Sequence, residues 1–173
     1  MAILTNRLSV LVALGLSPTV WAADQSAEYA VKAAFLANFV KFIEWPQGTL
    51  NGNTIVVGVI GRDPFGRQID DLMGKASDSK KVVVKRIDWS GAGAANMVFV
   101  PASEQPNPDA IAKLIAKRVV VVGESAGFAS KGGVIGFVMN SGRISFEINV
   151  GSARNAGVTL SSRLLQLAKI VGK

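Results

Sequence analysis

Residues 97–123, MVFVPASEQPNPDAIAKLIAKRVVVVG, read as a strand, a helix and a second strand. Met97 to Pro101 and Arg118 to Gly123 are short, valine-rich runs without the polar alternation of a half-solvated sheet. Between them, Asn107 stands at an N-cap and Pro108 at the first helical position of a helix running through Lys117. Strands buried on both faces and joined by a helix are the unit of a parallel sheet.

The pattern continues on both sides. Upstream, Thr54 to Ile60 (TIVVGVI) and Lys81 to Asp88 (KVVVKRID) are two more such strands. Asp63-Pro64 is expected to open the helix between them, with Gly74 closing it. The next link, Ser90 to Asn96, has only seven residues. A parallel crossover takes about a dozen. Either this link holds one tight helical turn, or the strands at 81–88 and 97–101 are not neighbours. Ala27 to Trp45 reads as a helix ended by Pro46, with Phe35, Phe39 and Phe42 near helical spacing. Lys32, Asn38 and Lys41 interrupt it too often for a membrane span, so it is expected to pack on the sheet.

Downstream, Val134 to Met139 and Arg143 to Asn149 flank Asn140-Ser141-Gly142, a hairpin signal with glycine where positive φ is wanted. Ile144, Phe146 and Ile148 share one face of the second strand; Ser145, Glu147 and Asn149 share the other. A polar loop holding Arg154 and Asn155 leads to Ser161 or Ser162, which caps a last helix carrying Leu164, Leu165, Leu167, Ala168 and Ile170. The expected fold is α/β in three layers. A mostly parallel sheet has helices on both faces and ends in an antiparallel hairpin plus a terminal helix.

The first 22 residues have the composition of a secretory leader. Arg7 precedes the apolar run Leu8 to Leu16, Pro18 breaks it, and Val20-Trp21-Ala22 offers small residues for cleavage after Ala22. Residues 23–173 then form one exported domain, large enough to hold together by core burial without cysteine. Removing Arg7 leaves 18 basic and 12 acidic residues, and the basic ones are scattered without interleaved aromatics. A solvated basic face accounts for this better than a nucleic-acid groove, and an acidic partner surface is compatible with it.

Chemistry is limited by what the chain lacks. It contains no histidine and no cysteine. Gly123-Glu124-Ser125-Ala126-Gly127 matches a G-x-S-x-G nucleophile elbow, but no imidazole exists to take the serine proton. Without imidazole or thiolate, metal ligands reduce to carboxylates, and Asp70-Asp71 is an adjacent pair suited to a solvated helix face. No catalytic residue, metal or cofactor is therefore expected. Two places could hold a small ligand. The helix expected after Asp63 offers free N–H groups near Arg62 and Arg67 for an anion, although unused helix ends are common. The polar set Glu147, Asn149, Arg154, Ser161 and Ser162 lies beside a helix start, where ordinary caps are the competing explanation.

The segments YAVKAAFLANFVKFIEWP and ISFEINVGSARNAGVTLSSRLLQLAKIV, with VVGVIGRDPFG and MVFVPASE between them, resemble the signatures of the YfiR/HmsC-like periplasmic proteins over residues 26–171. The resemblance implies a non-enzymatic regulator that binds the periplasmic region of an inner-membrane diguanylate cyclase and holds it inactive. It also implies relief by an outer-membrane lipoprotein, and a homodimer. By position, it implies Phe137, Phe146, Glu147, Asn149 and Arg154 as partner-facing residues. Repression linked to disulfides, found in some relatives, cannot operate in a chain without cysteine. Basic and imidazole groups of some relatives correspond to Thr159 and Ser161, which weakens the case for a nucleotide-like ligand there. A periplasmic sensor of small anions is the alternative reading.

Overall fold

The valine-rich runs assemble as a parallel sheet. The computed structural model describes residues 19–46, 48–105 and 107–172. In chain order they form α1 (Thr19–Phe42), β1 (Ile43–Glu44), β2 (Thr54–Ile60), α2 (Gln68–Met73), β3 (Lys81–Ile87), β4 (Met97–Val100), α3 (Pro108–Ala116) and β5 (Val120–Gly123). The hairpin β6 (Ile135–Asn140) and β7 (Arg143–Ile148) follows, then α4 (Val150–Asn155), β8 (Thr159–Leu160), α5 (Ser162–Leu167) and β9 (Lys169–Ile170). Of the expected leader, residues 1–18 lie outside the described residues.

Seven strands pair in the order β3-β2-β4-β5-β6-β7-β9, and only β6 with β7 is antiparallel. Every residue of β4 and β5 is buried. Successive strand residues point to opposite faces, so both faces of the sheet centre are covered. Crossover handedness explains how. The β2–α2–β3 and β4–α3–β5 connections run outward in opposite directions, so right-handed crossovers put α2 and α3 on opposite faces. α1 packs with α2 and α5, and α3 packs with α4. The short 90–96 link satisfies both of its expected solutions. It holds a single 3₁₀ turn at Ala92–Ala94, and β3 and β4 are separated by β2.

Four segments depart from the sequence expectation, each for a local reason. The first helix stops at Phe42 because Ile43 and Glu44 pair antiparallel with Leu160 and Thr159. The Ser161 N–H then donates to the Phe42 carbonyl at 3.0 Å, satisfying a helix-end acceptor. The second helix does not open at Asp63-Pro64. Asp63 Oδ1 accepts the Phe65 N–H at 2.8 Å, a turn that delivers Phe65 to the core 4.8 Å from the Phe99 ring, and α2 begins at Gln68. The polar loop at 150–155 is helix α4, capped by Asn149, whose Oδ1 accepts the Ser152 N–H at 2.9 Å. The terminal helix ends at Leu167, after which Lys169–Ile170 joins the edge of β7.

The hairpin and its cap follow the sequence. Ser141 and Gly142 both have positive φ (47° and 75°), the two-residue turn that matches strand twist. Ser161 Oγ accepts the Leu164 N–H at 3.2 Å at the start of α5. Phe35 and Phe39 of α1 meet Phe137 and Phe146 of the hairpin, with ring centroids 5.0–6.1 Å apart. This aromatic group fixes α1 across the sheet.

Candidate functional site

In an open parallel sheet, loops leaving adjacent strands diverge where the winding direction reverses, and a crevice opens at their carboxyl ends. Here that point lies between β2 and β4, since β2 leads outward to β3 and β4 leads the other way to β5. A cleft of about 530 Å³ occupies this place. Arg62, Asp63 and Pro64 come from the loop after β2, and Pro101, Ala102 and Ser103 from the loop after β4. Gln25, Ser26 and Tyr29 of α1 close the third side.

Beside this cleft sits a buried polar cluster. Tyr29 donates its phenolic O–H to Glu124 Oε1 at 2.9 Å, and the Ala102 N–H donates to the same oxygen at 2.7 Å. Lys32 pairs with Glu124 Oε2 and with Glu28, one turn earlier on α1. The Glu124 and Lys32 side chains are only 3% and 7% exposed, so neither charge could stand alone there. The Lys32 ammonium also lies 4.7 Å from the Tyr29 ring centroid. Burial, followed by the Glu124 charge and hydrogen bond and then the Glu28 charge, raises the Tyr29 phenol well above its ordinary 10.0. The cluster thus ties α1 to the loops after β4 and β5, and it sets Tyr29 as a fixed wall of the cleft.

A second charged group stands at the cleft's outer side. Arg86 of β3 bridges Asp63 and Asp70, with contacts of 2.7–2.9 Å, and donates to the Gly66 carbonyl at 2.8 Å. The Arg86 hydrogen bonds hold the Asp70 carboxyl below its usual 3.8. Asp63 is therefore consumed by Arg86 and by the Phe65 N–H.

The residues singled out by sequence divide sharply. Arg62 lines the cleft, and Arg67 is exposed outside its lining. Phe137 and Phe146 are buried in the aromatic group under α1, with 4% and 3% exposure. Glu147 is buried at the sheet edge and accepts from Lys169 Nζ at 2.9 Å. Asn149 caps α4 and donates to the Ala129 carbonyl at 2.9 Å. Arg154 is exposed, while Ser161 caps α5 and Ser162 is its first residue. Only Arg62 reaches the cleft. Tyr29, Lys32 and Glu124 were not singled out, although each left a trace. Lys32 interrupts an apolar helix, and Glu124 follows directly on a fully buried strand at its carboxyl end. Gly123 before it serves packing. A Cβ there would meet the Phe128 ring at 2.4 Å, and one at Gly133 would meet the same ring at 2.2 Å. The G-x-S-x-G resemblance is thus built around a phenylalanine held between two glycines.

Comparison with known proteins places this architecture. No curated protein matches the chain. Among solved structures, an ABC domain in complex with L-Trp from Streptococcus pneumonia is similar, with TM-score 0.54 and 12% identity over 80% of this chain and 60% of that one. A conserved domain protein from Vibrio cholerae gives TM-score 0.49 and 10% identity over 82% of this chain and 59% of that one. The chain thus spans about three-fifths of either structure. At such identity the first likeness shows the α/β fold alone. The family model described as YfiR/HmsC-like matches residues 29–169, from the cleft tyrosine to the last strand. The chain therefore belongs to the YfiR/HmsC-like family of periplasmic regulators.

Proposed function

We propose that this protein, exported and cleaved after Ala22, represses an inner-membrane diguanylate cyclase by binding its periplasmic domain. Repression lowers cyclic di-GMP and with it biofilm formation. The observation that carries this reading is the family match across the whole domain, residues 29–169. Repression of this kind needs no catalysis. A regulator that binds the cyclase's inactive conformation more tightly than its active one shifts the population by that difference. In this reading an outer-membrane lipoprotein relieves repression by sequestering the regulator, and the regulator is active as a homodimer.

Burial redistributes the partner-facing residues. Phe137 and Phe146 support the surface from within, and Arg154 remains exposed. The open sheet edge beyond β7 supplies apolar contact area, with Leu167 and Ile170 exposed at 68% and 47% and the Lys169 side chain between them at 76%. An apolar strip flanking a cation suits a partner with an acidic rim. Deleting the gene is expected to raise cyclic di-GMP, and an intact copy to restore the lower level. A copy carrying Leu167→Asp should accumulate normally but fail to restore it. Unchanged cyclic di-GMP after deletion would overturn the proposal.

A further inference from the structure

Of the charged side chains around the switch-point cleft, Lys32 and Arg86 are held in ion pairs. Asp63 is occupied by Arg86 and the Phe65 N–H, and both oxygens of Glu124 are occupied by Tyr29, Ala102 and Lys32. Arg86 spends its guanidinium on Asp63, Asp70 and the Gly66 carbonyl. Arg62 alone among the charged lining residues has neither an ion pair nor a side-chain hydrogen bond among the described residues. The cleft therefore presents one uncommitted cation. Its remaining walls are of two kinds. The Tyr29, Pro64 and Pro101 rings give carbon surface, and Ser26 and Ser103 give hydroxyls. A volume of about 530 Å³ lies within the roughly 300–1,000 Å³ of small-molecule sites.

We propose that this cleft binds a small organic carboxylate with an apolar body. The carboxylate meets the Arg62 guanidinium, a planar donor fork matched to two carboxylate oxygens. The apolar body lies against Tyr29, Pro64 and Pro101. The ligand bridges α1 to the loops after β2 and β4, and it shares α1 and the β4 loop with the Tyr29–Glu124–Lys32 cluster. The site stands independently of the cyclase, because it is tested by binding to the isolated domain, whereas the cyclase reading is tested by cyclic di-GMP in cells.

The chain offers its own reporter, since Tyr29 is its only tyrosine. With residues 23–173 labelled with 3-fluorotyrosine, a single fluorine resonance reports on the cleft wall. Titration with phenylacetate is expected to move that resonance saturably, with a Kd below about 1 mM. Phenylacetamide, of equal shape but uncharged, should bind about tenfold more weakly or worse. Arg62→Gln should weaken phenylacetate by at least about tenfold at unchanged melting temperature, while Arg67→Gln, outside the lining, binds as the parent does. Three results would overturn the proposal. One is no saturable movement up to about 10 mM phenylacetate. Another is equal binding of acetate or inorganic phosphate, which would make the apolar walls irrelevant. The last is equal weakening by Arg62→Gln and Arg67→Gln, which would reduce the effect to general surface charge.

Discussion

Glu124 is the residue on which most of the buried polar chemistry converges. It takes a phenol and an ammonium from α1 and a backbone N–H from the loop after β4. Glu124→Ala would leave Lys32 buried with Glu28 as its remaining partner. Losing one partner of a buried pair costs about 3–5 kcal/mol, so denaturant unfolding should show a loss of that size. Tyr29 gives a pH signature. Its pKa in the folded protein lies above its unfolded value of 10.0, so its contribution to stability is complete below pH 10 and disappears as pH rises through the folded value. Absorbance at alkaline pH should show this one phenol ionising only together with unfolding, and Glu124→Gln should bring its ionisation down. Asp70 acts at the other end of the scale. The Arg86 hydrogen bonds depress its pKa, so its contribution is present above the ordinary 3.8 and is lost as pH falls through the folded value. With its side chain 43% exposed, that contribution is under about 1 kcal/mol. Arg86→Met should flatten the acid limb of a stability profile below about pH 4.

At the scale of elements, packing decided what local chemistry left ambiguous. The strands at 54–60, 97–100 and 120–123 were legible because continuous valine runs have no other comfortable place than a doubly covered sheet, whereas 81–87, expected to be another such strand, forms the sheet edge with only Val82 buried. The Asn107 cap and the Ser141-Gly142 turn were legible because each is a device of one or two residues with a fixed conformation. Asp63-Pro64 misled because the same cap-and-proline chemistry also closes a turn, and burial of Phe65 favoured the turn. α4 was missed because it shows only two turns, one buried alanine and a cap that looked like surface polarity. The cleft was illegible for a different reason. Its three walls lie far apart in sequence, and only strand order brings them together. The glycines flanking Phe128 give a test of element packing. Gly123→Ala and Gly133→Ala should each cost about 1–3 kcal/mol by overpacking, without any change in a serine-dependent activity. Ser161→Ala should cost about 1 kcal/mol through loss of the α5 cap, read as a shift in denaturant midpoint.

Across the whole molecule, the ends of the described chain meet repeatedly. β1 pairs with β8, α1 packs on β7 and α5, and β9 closes the sheet beside β7. Truncation after Ala168 would remove the Val171 N–H bond to Ile148, leave Glu147 without Lys169, and bare the β7 edge. Each kcal/mol lost should lower the melting temperature by about 2–4 °C in a domain of this size. The bared edge should also make melting depend on protein concentration, as calorimetry at two concentrations would show. The β1–β8 ladder has a consequence for the order of events during synthesis. Ile43 has no strand partner until Leu160 has been made, and Phe42 cannot hand its carbonyl to Ser161 any sooner. Native pairing of this segment is therefore postponed to the end of the chain, and loop closure over such a span is slow. In the exported protein proposed above, that delay would keep the nascent polypeptide threadable until nearly all of it has been made.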